Sequence, residues 1–167
     1  MVARLVLVGL PGVGKTTLAR ALGDYWHCVA LDTDDLIAAG VGMSAARYLR
    51  EHGEEAFRQR EIEALRQALE SDAVVATGAG VVTTRAAREL LGRETTMWLD
   101  CDDETLLLRV GGGDRPLLGD DHRQALTVLR AQREAWYRSS AQFEVDASGS
   151  PDDVRQRALN EIERVSP

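Results

Sequence analysis

Lysine is all but missing from this chain. Of twenty basic residues nineteen are arginine, and the single lysine is Lys15. Cysteine is equally scarce. Cys28 and Cys101 share no metal or redox spacing and read as reduced thiols of a cytoplasmic protein. His27, His52 and His122 have no common ligand spacing, which argues against an imidazole metal centre. No run of about 18 apolar residues exists to cross a membrane. The short apolar stretch Leu5 to Leu10 passes straight into a glycine loop and lacks the form of a signal peptide. Positive charge is also in deficit. With a formal net charge of −7 the chain offers no basic footprint for a nucleic acid, although local arginine clusters remain able to gather a small anion.

What is present points to one α/β domain spanning 1–167, a length suited to a single sizeable core. Short β-branched or apolar runs at Arg4–Val8, Val29–Asp32, Ala73–Thr77, Thr95–Leu99 and Phe143–Asp146 read as strands. Between them lie helical patterns at Thr17–Leu22, Ser44–Glu70 (interrupted near Gly53), Thr84–Leu91, Asp103–Arg109 and His122–Ser139, with a last helix from Pro151. Strands alternating with helices imply a parallel sheet covered on both faces, with ligands beyond the carboxyl ends of the strands. The stretch from Gly111 to Asp121 is rich in Gly, Asp and Pro without periodicity and reads as a mobile loop.

The strongest motif follows the first strand. Gly9-Leu10-Pro11-Gly12-Val13-Gly14-Lys15-Thr16 fits G-x-x-x-x-G-K-[ST], a loop whose backbone N–H groups close around phosphate oxygens. The helix behind it aims its positive end at the same anion. Gly12, Val13, Gly14, Lys15, Thr16 and Thr17 are therefore the expected nucleotide-phosphate residues. Lys15, a compact charge on a flexible stem, is expected to reach the β- and γ-phosphates, and the Thr16 hydroxyl to hold Mg²⁺.

A second constellation, Asp32-Thr33-Asp34, ends the second strand. In extended chain alternate side chains point the same way, so both carboxylates would face one pocket. One is then placed to complete a Mg²⁺ shell and the other to take a proton from a substrate hydroxyl. The competing reading is a solvated acidic turn or a helix cap, since Asp35 adds a third acid where a helix starts. Arg58 and Glu61 lie three residues apart, which also describes an ordinary surface pair on a helix. Arg133 beside Glu134 allows the same reading.

These motifs, with Gly53-Glu54-Glu55-Ala56-Phe57-Arg58 and Glu61, the turn Gly78-Ala79-Gly80, Arg115-Pro116-Leu117-Leu118, and Arg133 followed by Tyr137, stand in the order found in shikimate kinases. The chain resembles that family over essentially its whole length. The resemblance implies a five-stranded parallel sheet in three αβα layers, the P-loop fold of nucleoside-monophosphate kinases. It implies transfer of the ATP γ-phosphoryl group to the 3-hydroxyl of shikimate, with Mg²⁺, in a cytoplasmic monomer. A lid at about 111–121 and a substrate-binding helical segment at about 35–61 follow from it. By the same resemblance Asp34 binds the ring hydroxyls, Arg58 and Arg133 clamp the carboxylate, and Glu61 steadies Arg58. The turn Gly78-Ala79-Gly80 meets the substrate, with Ala79 giving a backbone N–H. Asp32 joins the Mg²⁺ end, Arg115 swings over the phosphates, and Arg109 and Pro151 flank the adenine. Shikimate kinases usually carry three glycines where this chain has Ala79 in the middle, and a left-handed φ there would cost an alanine about 1 kcal/mol. Two alternatives share the motifs: a same-fold kinase for a related carboxylated polyol, and a nucleotide-binding module without turnover.

Overall fold

The computed structural model describes residues 3–110 and 121–165. The chain runs β1 (Leu5–Val8), α1 (Lys15–Trp26), β2 (Val29–Asp32), α2 (Thr33–Val41), α3 (Ala45–Leu69) and β3 (Ala73–Ala76). A 3₁₀ turn at Val81–Thr83 leads to α4 (Arg85–Leu91) and β4 (Thr96–Asp100). Then come α5 (Asp103–Val110), α6 (His122–Ser140), β5 (Phe143–Asp146) and α7 (Pro151–Val165).

The strands form one parallel sheet in the order β2-β3-β1-β4-β5. Its interior strands β1 and β3 are fully buried runs, LVLV and AVVA, as expected of a sheet covered on both faces. The helices α1 and α7 pack together against it, and α3, α4 and α6 form a second packed group. Trp98, Leu5, Leu7, Leu22, Leu65 and Leu99 are among the large side chains fully enclosed. Each such aliphatic side chain contributes about 1.5–3 kcal/mol on removal from water. Because β1 has β3 on one side and β4 on the other, the chain changes direction across the sheet there, and a crevice opens beyond the strands' carboxyl ends.

Two local features matter for that crevice. The helix opened by the glycine loop begins at Lys15, so the lysine belongs to its first turn. The extended conformation expected across Asp32-Thr33-Asp34 stops at Asp32, because Thr33 already opens α2. Asp32 is the N-cap of that helix and its carboxylate accepts the Asp34 N–H, so capping chemistry overrode strand alternation.

Helix α3 is kinked at Gly53, whose φ of 82° and ψ of 171° suit only glycine. The kink folds the first half of α3 back beside α2, and Ile37, Ala45, Phe57 and Ala64 make a small second core there. The 35–61 segment is thus built as its own packed unit at the rim of the crevice. Asp121 caps α6, its side chain accepting the Gln124 N–H. The segment 111–120, which holds most of the expected lid and Arg115, lies outside the described residues. Among the described residues no helix is long and apolar enough to cross a membrane.

Candidate active site

One cleft of about 590 Å³ opens at the carboxyl end of the sheet, and nearly all the expected site residues line it. At one end is the phosphate loop. Gly12 and Gly14 adopt left-handed φ values of 79° and 105°, which turn the loop so that α1 starts directly behind it. Lys15 is buried and its Nζ donates to the carbonyls of Gly9 and Leu10 at 2.9 and 3.0 Å. The Thr16 hydroxyl donates to Asp32 Oδ2 at 2.6 Å, while Asp32 Oδ1 accepts the Asp34 N–H at 2.9 Å.

That hydroxyl–carboxylate pair, beside Lys15, fits a hard divalent cation that keeps water and phosphate oxygens as its other ligands. Among the described residues no group of three or more His, Cys, Asp or Glu forms, so no cage made only of such side chains competes for the metal. On the flank, Arg109 reaches Val13 O at 3.3 Å and Gly149 O at 3.2 Å, tying the phosphate loop to the segment before α7. Arg109 and Pro151, the first residue of α7, both line this end of the cleft.

The other end gathers charge. Arg58, on α3 after the kink, is buried, and its Nη1 is paired with the buried carboxylate of Glu61. Its Nη2 and Nε reach the exposed Glu54 at 2.8 and 3.3 Å. The spacing that reads as a surface helix pair is therefore, in the fold, a buried ion pair facing a cleft. Burial pushes the Glu61 carboxyl above its usual range even with Arg58 alongside.

Asp34 also lines the cleft. Desolvation and the neighbouring Asp32 charge push its carboxyl up to about 6, against the pull of Lys15 and Arg58. More than a third of the residue's surface still reaches solvent, which moderates that push. Asp32 and Asp34 thus differ in kind. Both Asp32 oxygens accept hydrogen bonds, whereas among the described residues the Asp34 carboxylate accepts none.

The turn after β3 forms the floor. Gly78 and Gly80 are closely packed by the side chains of the cleft. A Cβ on Gly78 would lie 2.6 Å from Glu61 Oε1 and 3.1 Å from Asp34 Oδ1, and one on Gly80 would fall inside the Arg58 guanidinium. Ala79 does not have a left-handed φ, so the expected penalty for alanine is absent. Arg133 is buried next to the cleft and outside its lining, its Nη1 donating to Ala79 O, the carbonyl of a lining residue, at 3.1 Å. Its Nε is buried without a partner among the described residues.

The sequence reading gave no role to four groups that shape this site. Thr33 accepts the Gly78 N–H at 2.9 Å, and Tyr137 donates to Ala79 O. Leu49 and Phe57 supply an apolar wall. The i, i+4 spacing of Arg133 and Tyr137 was the one available signal, since it sets both on the same face of a helix.

Comparison with known proteins gives a consistent result. A family model described as shikimate kinase matches residues 11–163. The shikimate kinase of Corynebacterium jeikeium is 38% identical over 168 residues, covering 99% of this chain and 91% of that protein. The shikimate kinase from Acinetobacter baumannii, solved in complex with shikimate, superposes with a TM-score of 0.92 at 31% identity, covering 98% of this chain and 94% of that one. A gluconokinase from Sinorhizobium meliloti shares the fold at a TM-score of 0.63 and 17% identity, with 98% and 93% of the two chains covered.

Proposed function

The chain belongs to the shikimate kinase family, and from that membership we propose that it phosphorylates the 3-hydroxyl of shikimate with ATP and Mg²⁺ through the residues of this cleft. The observation that carries the reading is the union of a phosphate loop and a buried arginine–carboxylate cluster in one cleft.

Phosphoryl transfer needs alignment and positive charge more than covalent help. Gly12 to Thr17 cradle the phosphates by backbone N–H groups and the α1 N-terminus. Lys15, leaving its two loop carbonyls, neutralises the β- and γ-phosphates. Thr16 and Asp32 hold Mg²⁺, which supplies further charge compensation on the phosphate oxygens. Arg109 and Pro151 flank the adenine. Arg58 takes the acceptor carboxylate by forked, charge-assisted hydrogen bonds, and Arg133, held at Ala79 O beside the cleft, turns in to complete the clamp. Asp34 is the proton acceptor. Among the described residues its carboxylate accepts no hydrogen bond, and a carboxyl titrating near 6 is ionised at neutral pH yet basic enough to take a hydroxyl proton. Asp32, with both oxygens engaged, stays with the metal. The reading places the enzyme in the cytoplasm as a monomer.

ADP release with ATP and Mg²⁺ tests this, with shikimate, quinate, gluconate or water as acceptor. Strong stimulation by shikimate alone is expected. Stimulation by another hydroxy acid in its place would keep the kinase chemistry and overturn the substrate.

A further inference from the structure

Resting on the reading of this cleft as a shikimate site, we infer that Tyr137 is a positioning residue of the acceptor site, one that fixes the 79–80 peptide so that the Gly80 N–H donates to the acceptor. The argument is an accounting of the turn's backbone polar groups. Gly78 N–H goes to Thr33 Oγ1 at 2.9 Å, and Gly78 O accepts from Val81 N–H at 3.1 Å. Gly80 O accepts from the Thr83 N–H at 2.9 Å and the Thr83 hydroxyl at 2.7 Å. Ala79 O accepts from both Arg133 and Tyr137. Two groups are left over. Among the described residues, neither the Ala79 N–H nor the Gly80 N–H has an acceptor.

In a trans peptide the C=O and the following N–H point in opposite directions, and no peptide bond in the described structure is cis. Pinning Ala79 O towards α6 therefore turns the Gly80 N–H the other way. The cleft lies on that other side: Arg58, whose guanidinium abuts Gly80, lines it together with Gly78, Ala79 and Gly80, whereas Tyr137 does not. An acceptor oxygen set between a cleft-facing N–H and the Arg58 guanidinium would be held from two directions.

Tyr137 suits this task better than Arg133. Its ring is 1% exposed and stacks on Trp98 of β4, with centroids 6.3 Å apart and planes at 20°. The hydroxyl is thus braced by a fully buried side chain of the sheet, and burial keeps it protonated by raising its pKa to about 12. Arg133 has a second use for its guanidinium when a carboxylate is bound, and Tyr137 is the donor that stays with the turn.

The test is Tyr137→Phe, which deletes one oxygen and leaves the ring on Trp98. Removing one hydrogen bond that orients a donor should raise the KM for shikimate by roughly 3–10-fold. The KM for ATP and the melting temperature should stay near wild type, and kcat should fall less than KM rises. A variant with an unchanged KM for shikimate overturns the inference, as does an equal rise for ATP. Should the variant fold poorly, amide NMR of the ¹⁵N-labelled wild-type chain decides. Saturating shikimate must shift the Gly80 N–H resonance downfield, and an unmoved Gly80 resonance overturns the inference. Wild-type protein that does not turn over shikimate would overturn the functional reading together with this one. Wild-type turnover with an indifferent Tyr137→Phe would overturn this one alone.

Discussion

Replacing Gly80 by alanine puts a methyl group where the Arg58 guanidinium lies. The new Cβ would sit within 2.6 Å of Nη2 and closer still to Nη1, so one of the two must move. The backbone of the turn is held by the Gly78 N–H donating to Thr33 and by four hydrogen bonds that Ala79 O and Gly80 O accept from Arg133, Tyr137 and Thr83. The arginine gives way. Swinging outward it keeps Glu54, at 2.8 Å in the native fold, but draws off from Glu61, which is 3% exposed. Breaking a buried pair outright costs about 3–5 kcal/mol. Partial retention through Glu54, and protonation of a Glu61 already pushed upward by burial, bring the expected loss to about 2 kcal/mol. For a chain of this length that is a fall of roughly 4–8 °C in melting temperature. Displacing a carboxylate-binding arginine should also raise the KM for shikimate at least ~10-fold, one tenfold step being 1.4 kcal/mol, while the KM for ATP holds. Thermal melting and initial-rate kinetics read both. A Gly80→Ala protein melting within about 1 °C of wild type, with its shikimate KM unchanged, would refute the claim that Arg58 packs on Gly80 and binds the acceptor. The neighbouring change Ala79→Gly is the control, since Ala79 has no left-handed φ to relieve and should lose no more than about 1 kcal/mol.

Other outcomes follow from the same geometry. Lys15→Ala should abolish shikimate-dependent ADP release, and near-normal rates would show that the phosphate loop is misassigned. Arg58→Ala should raise the KM for shikimate and also destabilise, because Glu61 is left buried without its partner; an unchanged KM removes Arg58 from the site. Asp34→Asn should eliminate turnover, and the wild-type kcat/KM should fall as pH drops through about 6, where Asp34 protonates. The effect on stability has the opposite sense. A carboxyl whose folded pKa is raised contributes stability below its unfolded value near 3.8 and loses it as pH climbs through about 6. Asp34→Asn should therefore stabilise at pH 8 by about 1 kcal/mol, less than a dry site would give because Asp34 is partly solvated, and not at pH 4. Melting curves at the two pH values check the sign.

Much of this was legible in the chain. The buried runs LVLV and AVVA announced two interior strands, and the glycine loop before Lys15 announced the crevice. Helix α2 was harder to read. Three aspartates in four residues allowed a pocket-facing pair, a solvated turn or a helix cap, and the hydrogen bond from Asp34 N–H to Asp32 decides for the cap. Arg58 and Glu61 carried the spacing of a surface pair, and nothing local reveals that both become buried. Burial depends on the α3 kink at Gly53 bringing Arg58 over the turn after β3. The bonds from Thr33 to Gly78 and from Tyr137 to Ala79 span 45 and 58 residues, distances at which sequence periodicity is silent. Ala79 posed the converse problem. Its conformational cost depended on a φ value that the sequence does not contain, and the fold removes the cost.

The central claim is tested most directly by identifying the product. After incubation with ATP, Mg²⁺ and shikimate, ³¹P–¹H correlation NMR reads which carbon bears the phosphate. The account predicts one phosphomonoester, coupled to the proton at carbon 3 and formed in step with ADP. Free inorganic phosphate as the only new signal, or a phosphoryl group on another hydroxyl, would contradict it.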